Sequence, residues 1–278
     1  MPAMTPPALA ARYTATRDAV LAAERMAARH GHRRRAASLR AMADLGRHFL
    51  SFDGRDGGRT AEVLGDLARA ERIAVLVPGA DTSLDTYDRF LAGAMALRLA
   101  QEPGHRFAVI AWLGYRTTST FGLEALTTGR AREAASALRR FVGELGAARP
   151  AARTSLVCHS YGSVVCSQAA AGLKVTDLVL YGSPGTGVQG VAELRTQATV
   201  WAGRGARDWI AGVPHTRLRL PFATVGFGTD PVSPEFGARI FAAGDGGHSD
   251  YLRPGSTALA NMARIVSGLP PLGEAGHG

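Results

Sequence analysis

From about residue 71 onward the chain repeats one pattern: a short unbroken apolar run, a turn, then a longer stretch with helical character. Ile73-Ala74-Val75-Leu76-Val77 is one such run. A strand that is apolar at every position is covered on both faces, which is the situation in a parallel sheet held between helices. The candidate strands are 72–77, 106–112, 154–158, 177–181, 198–202 and 238–242, and the candidate helices are 83–100, 131–147, 161–173 and 254–267. Thr82 or Ser83 would serve as N-cap for the first of these helices. Leu138, Phe141, Val142 and Leu145 form an apolar stripe on the second. Strand–helix alternation of this kind predicts an α/β fold with a mostly parallel, doubly wound sheet and right-handed crossovers.

Upstream of this pattern, 8–29 and 34–47 read as two helices rich in strong helix formers. The runs His48–Asp53 and Arg59–Leu64, separated by a glycine-rich gap, read as a hairpin. The chain therefore divides into a helical N-terminal extension (1–47), an α/β domain (48–268) and a tail (269–278). No apolar stretch approaches the ~18 residues of a spanning helix, and the first twenty residues show no apolar signal core. These features favour a cytoplasmic protein. The net charge of +9 does not point to nucleic acid. Of 32 basic residues only Lys174 is lysine, and apart from Arg33-Arg34-Arg35 the arginines are scattered rather than clustered or interleaved with aromatics. Two cysteines, Cys158 and Cys166, are too few for a disulfide scaffold. Cys158 reads as a small buried packing residue with an inert thiol, and Cys166 as a packed helix residue.

In open α/β sheets the working site lies beyond the carboxyl ends of the strands. After strand 154–158 comes Cys158-His159-Ser160-Tyr161-Gly162-Ser163, followed by a helical segment. A strand, an abrupt turn with serine at its apex and a helix form the context of a nucleophile elbow, G-x-S-x-G. Gly162 supplies the second glycine and Cys158 replaces the first. Ser160 is the candidate nucleophile. It needs a base and a carboxylate to orient that base, and in such sheets they follow in the order serine, acid, histidine. His248, in the glycine-rich loop after the last strand, is the candidate base; His215 and His277 are worse placed. Asp208, just after strand 198–202, is the candidate acid, with Asp230 as the alternative. The backbone N–H groups of Tyr161 and Ala80 would form the oxyanion hole, with Gly79 allowing close approach of the chain.

These segments, together with Val75–Gly79, Ala111–Tyr115, Tyr181–Gly185 and Gly247–Tyr251, resemble an actinobacterial α/β-hydrolase family long catalogued as a domain of unknown function. The resemblance covers roughly 48–265. It implies the α/β-hydrolase fold and a Ser160, Asp208, His248 triad, but no particular substrate; the family normally has glycine where this chain has Cys158.

Only a short segment separates Tyr181 from the next strand, so no large cap domain is expected. Gly79, Asp81, Tyr115, Trp209 and Phe227 are the candidate substrate-binding residues, giving an apolar and aromatic lining. The expected activity is that of a serine esterase acting on an uncharged small-molecule ester through an acyl-enzyme. The same triad could instead cleave a thioester or amide, or transfer the acyl group. A non-catalytic binding protein on the same scaffold is the reading from a different class. No metal-ligand cluster, P-loop or dinucleotide fingerprint is present, so neither metal nor cofactor is expected.

Overall fold

The computed structural model describes residues 4–102, 104, 106–117, 128–212, 218–220, 223–225 and 228–273. Two helices, α1 (Pro6–Arg29) and α2 (Arg33–Met42), precede the hairpin β1 (His48–Asp53) and β2 (Arg59–Leu64). Strands and helices then alternate: β3 (Arg72–Val77), α3 (Tyr87–Leu99), β4 (Phe107–Leu113), α4 (Thr128–Ala148), β5 (Arg153–His159), α5 (Tyr161–Ala169), β6 (Asp177–Tyr181) and β7 (Thr199–Gly203). A two-stranded ribbon, β8 (Leu218–Leu220) and β9 (Ala223–Val225), the short β10 (Arg239–Ile240) and α6 (Thr257–Val266) complete the order.

The main sheet runs β1-β2-β4-β3-β5-β6-β7-β10. From β4 to β10 all neighbours are parallel, and the hairpin adds two antiparallel strands at the β4 edge. All seven residues of β4 are buried, as a strand covered on both faces requires. Side chains alternate between two cores. Leu156 and Cys158 of β5 join the core beneath α4 and α5, whereas Val157 joins the core beneath α3 and α6. Each fully buried aliphatic side chain contributes about 1.5–3 kcal/mol relative to exposure.

The helix expected over 83–100 begins only at Tyr87. Ser83–Thr86 is held as a turn instead: the Thr86 hydroxyl accepts from the Ser83 N–H (2.9 Å) and donates to the Asp81 carbonyl (3.0 Å). Hydroxyl-to-backbone bonds of this kind compete with helix. The second helix stops at Met42 rather than 47, because Asp44 accepts from the Gly46 N–H (2.8 Å) and turns the chain toward β1. The last strand shrinks to Arg239–Ile240, both exposed at the sheet edge.

α1 lies across the β1 edge. Met4 and Leu9 share one core with Leu50, while Val20 and Ala27 share the other with Phe49. The Arg12 guanidinium donates to the Leu50 carbonyl. α2 is tied to the loop before α3 by the two-pronged Arg35–Asp85 pair (2.5 and 2.8 Å). The connection from β6 to β7 holds a single 3-10 turn, Val191–Leu194, and no inserted cap. Among the described residues no helix is long and apolar enough to cross a membrane.

Candidate active site

β3 lies between β4 on one side and β5 on the other, so the order of strands reverses at β3. The loops after β3 and β5 therefore splay apart, opening the crevice where ligands bind in such sheets. Ser160 sits there, between β5 and α5, with φ 51° and ψ −125°. A non-glycine residue in that region carries about 1–3 kcal/mol of strain and persists only where its surroundings over-determine it. Here the Ser160 N–H donates to the Tyr181 carbonyl (3.0 Å), and the Ser160 carbonyl accepts from both the N–H (2.9 Å) and the hydroxyl of Ser163. Ser163 is in turn 2.6 Å from the Ser183 hydroxyl. Two glycines make the approach possible. A Cβ on Gly162 would lie 2.4 Å from the Pro78 carbonyl oxygen, and one on Gly79 would lie 2.8 Å from the Ser160 Cβ. The loop after β3 thus runs against Ser160, with Ala80 one residue beyond the contact.

The two cysteines depart from the sequence reading. Cys158 and Cys166 form a disulfide, with Cα atoms 6.5 Å apart. Neither is the free, packed thiol expected. The bond links the end of β5 to the second turn of α5, across the turn that carries Ser160.

His248 comes from the loop before α6 and Asp208 from the loop after β7. The His248 Nε2 is 3.0 Å from the Ser160 Oγ, and its Nδ1 is 2.9 and 3.0 Å from the two Asp208 carboxylate oxygens. Ser160 and His248 are partly exposed, whereas Asp208 is buried. The loops bearing Asp208 and His248 touch through glycines: a Cβ on Gly205 would lie 2.2 Å from the Gly246 carbonyl oxygen. Burial raises the Asp208 pKa. Hydrogen bonds from His248, the Tyr251 hydroxyl and the Ile210 N–H outweigh that effect and hold it below the ordinary carboxylate value. Asp208 is therefore an anion oriented on Nδ1.

The other candidates fall in different places. Trp209 is 55% exposed, with its ring 4.8 Å from that of His248. Asp81 is exposed, with φ 60°, beside the Gly79–Ala80 loop. Tyr115 is buried and donates to the Pro78 carbonyl (2.6 Å), so it braces that loop from beneath rather than opening onto the crevice. Phe227 lies outside the described residues. Asp230 is paired with Arg204 (2.5 Å) and accepts from the Val232 N–H, so the hydrogen-bonding position at Nδ1 of His248 belongs to Asp208. Asp177, by contrast, has a carboxyl pKa raised by burial, but it lies at the amino end of β6, away from the carboxyl ends of the strands, bonded to Ser155 and Trp201.

Sequence reasoning missed Tyr251, whose hydroxyl donates to Asp208 and accepts from the Gly205 N–H (3.0 Å). It also missed Gly182, where a Cβ would lie 3.0 Å from the Tyr251 ring, 3.1 Å from the Asp208 carboxylate and 3.3 Å from the His159 Nε2. The aromatic at three residues past His248 was the available signal for Tyr251; Gly182 opens the loop after strand 177–181, which the sequence presents only as a strand-end loop, a structural wall. Among the described residues no group of three or more His, Cys, Asp or Glu side chains is placed to hold a metal ion.

Residues 53–218 match the profile of the alpha/beta hydrolase family. An uncharacterised Mycobacterium tuberculosis protein is 31% identical over 79% of this chain and 38% of its own length. A second, from Mycobacterium bovis, is 34% identical over 47% of this chain and 54% of its own. The chain thus spans about two fifths to one half of the curated relatives it matches. Among solved structures, esterase PE8 superposes with a TM-score of 0.51 at 14% identity, covering 76% of this chain and 99% of that one. With more than half of its length matched by the profile, and with the sheet order described above, the chain belongs to the alpha/beta hydrolase family.

Proposed function

We propose that the protein is a serine hydrolase that cleaves a carboxylic ester bearing an uncharged or apolar acyl or alkyl group, through an acyl-enzyme. The observation that carries this reading is the unbroken chain from Ser160 Oγ to His248 Nε2 and from His248 Nδ1 to the Asp208 carboxylate. Within it, Ser160 attacks the ester carbonyl carbon as His248 takes the hydroxyl proton at Nε2. Asp208 accepts the Nδ1–H and stabilises the imidazolium. The oxyanion is met by the backbone N–H groups of Tyr161, at the start of α5, and Ala80. Collapse of the tetrahedral species expels the alkoxide, which receives the proton from His248. Water, activated by the same nitrogen, then hydrolyses the acyl-Ser160 ester. Gly79, Asp81 and the exposed Trp209 border this centre; the indole favours an apolar group, and the superposition on esterase PE8 supports an ester as substrate. The mycobacterial relatives support an actinobacterial branch of the family. The Cys158–Cys166 disulfide favours an oxidising compartment over the cytoplasm expected from the sequence.

The test is hydrolysis of p-nitrophenyl esters of graded acyl length, with fluorophosphonate labelling alongside. Wild type should turn over the short and medium esters and label at one site. Ser160→Ala should fold, lose labelling and lose turnover by about 10⁴-fold or more. Turnover undiminished in Ser160→Ala would refute the assignment.

A further inference from the structure

His159 is a histidine of the site to which the reaction assigns no part. It ends β5, one residue before the nucleophile. Alternation along a strand puts it on the face opposite Cys158, the face on which Val157, Tyr181, Tyr251 and α6 pack. The loop carrying His248 leads into α6 on that same side. The sheet thus aims the residue before the nucleophile at the underside of the base loop.

The contacts are specific. The His159 Nε2–H donates to the backbone carbonyl of His248 (2.9 Å). Its ring lies 4.7 Å from the His248 ring, 4.9 Å from Tyr181, against which it stacks, and 5.9 Å from Tyr251. Gly182 leaves room for this packing; a Cβ there would come within 3.3 Å of Nε2. A loop carbonyl packed beside aromatic rings loses its partner if this donor is removed. Gly244, Gly246 and Gly247 in this loop offer little rigidity of their own. Asp208 holds His248 by the side chain; His159 holds it by the main chain. Enclosure, and next the charge of the nearby His248 ring, push the His159 pKa far below the ordinary histidine value. It therefore stays neutral while His248 cycles through imidazolium, and places no second positive charge beside it.

We propose that His159 is a positioning residue for the base: its Nε2–H pins the His248 main chain so that the imidazole reaches Ser160 and Asp208 together. This rests on the serine hydrolase reading above for its catalytic consequence, but the anchoring can be measured without turnover.

Three variants separate anchoring from packing. In His159→Gln the amide nitrogen reaches the position of Nε2. In His159→Asn it reaches only that of Nδ1, and His159→Phe keeps the ring without a donor. The downfield NMR resonance of the His248 Nδ1 proton held by Asp208 reports the anchored base. Hydrolysis of p-nitrophenyl butyrate gives kcat and KM, and thermal melting reports folding. The resonance should persist in wild type and His159→Gln and broaden or vanish in His159→Asn and His159→Phe. In those two, kcat should fall about 10–100-fold, by analogy with the loss of a hydrogen bond that orients a metal-ligating histidine, with KM little changed. His159→Gln should stay near wild type. An intact resonance and wild-type kcat in His159→Asn or His159→Phe would overturn the proposal. So would equal loss of activity and melting temperature in all three, His159→Gln included, which would assign a packing role. A wild type that hydrolyses no ester would retire the esterase reading, and the NMR comparison alone would then decide on His159.

Discussion

Asp208 and Asp230 show how much one side chain's surroundings decide. Both follow β7, both sit in turns, and both accept a backbone N–H two residues on. Only Asp208 meets an imidazole; Asp230 meets the Arg204 guanidinium. Asp208→Asn presents an amide where Nδ1–H needs an acceptor, so the imidazole loses its tautomer. Turnover should fall by about 10⁴-fold, the loss seen when a triad aspartate is amidated. Asp230→Asn breaks a partly exposed ion pair and should change turnover by less than about tenfold. Initial rates of the two variants on one ester check this; a reversed order would mean that the acid is Asp230. The two loops could be told apart in the sequence by strand order, but their partners could not. Arg204 pairs with the acid 26 residues away rather than with the nearby Asp208, and His248 with one 40 residues away, so which carboxylate each one meets depends on how the loops fold over the sheet.

At the scale of the element, the turn from β5 to α5 is constrained from several sides at once. Strain at Ser160 is held by the Ser163–Ser183 bonds, by Gly162 against the β3 loop and by the Cys158–Cys166 disulfide. The disulfide closes a loop of sequence separation 8. For so short a loop, restriction of the unfolded chain is worth about 2–3 kcal/mol. The double variant Cys158→Ala/Cys166→Ala should therefore unfold at lower urea concentration with an equal or steeper slope, because its unfolded chain is less compact, and its fluorophosphonate labelling should slow. Thiol titration of the unfolded, unreduced wild type should find no free thiol, and two after reduction. Two free thiols before reduction would show that the bond does not form. The strand and helix were both legible from their apolar runs, but the bond between them was not. Residues eight apart meet only if the chain reverses sharply between them, and that reversal is a property of the folded elbow.

Over the whole molecule, the hairpin widens the parallel sheet but leaves β1 as an edge. Edge strands present unpaired backbone groups to other chains. α1 lies across this edge, contributes Leu9 to one core, beside Met4 just before it, and Val20 and Ala27 to the other, and places Arg12 on the Leu50 carbonyl. Arg35 extends the same device to the loop before α3 through Asp85. Deleting residues 1–42 should uncover Phe49 and Leu50 and a free strand edge, giving a chain that self-associates. Light scattering of the truncated and full chains at equal concentration checks this; a monodisperse truncated chain would show that the edge needs no cover.

The amino-acid sequence by itself determined the periodic scaffold. Buried parallel strands are continuous apolar runs, so 72–77 and 177–181 could be read to the residue, and the hairpin followed from two short runs around glycines. The strand–serine–helix turn was legible because its small residues and its apolar flanks are adjacent in the chain. Tertiary structure alone decided the contacts between segments far apart: Tyr251 on Asp208, His159 beneath His248, Tyr115 under the β3 loop, and α1 over β1. Local propensity acts over a few residues and leaves a strong periodic trace. A hydrogen bond between loops from different strands leaves none, because its geometry exists only after the sheet has brought the strand ends together.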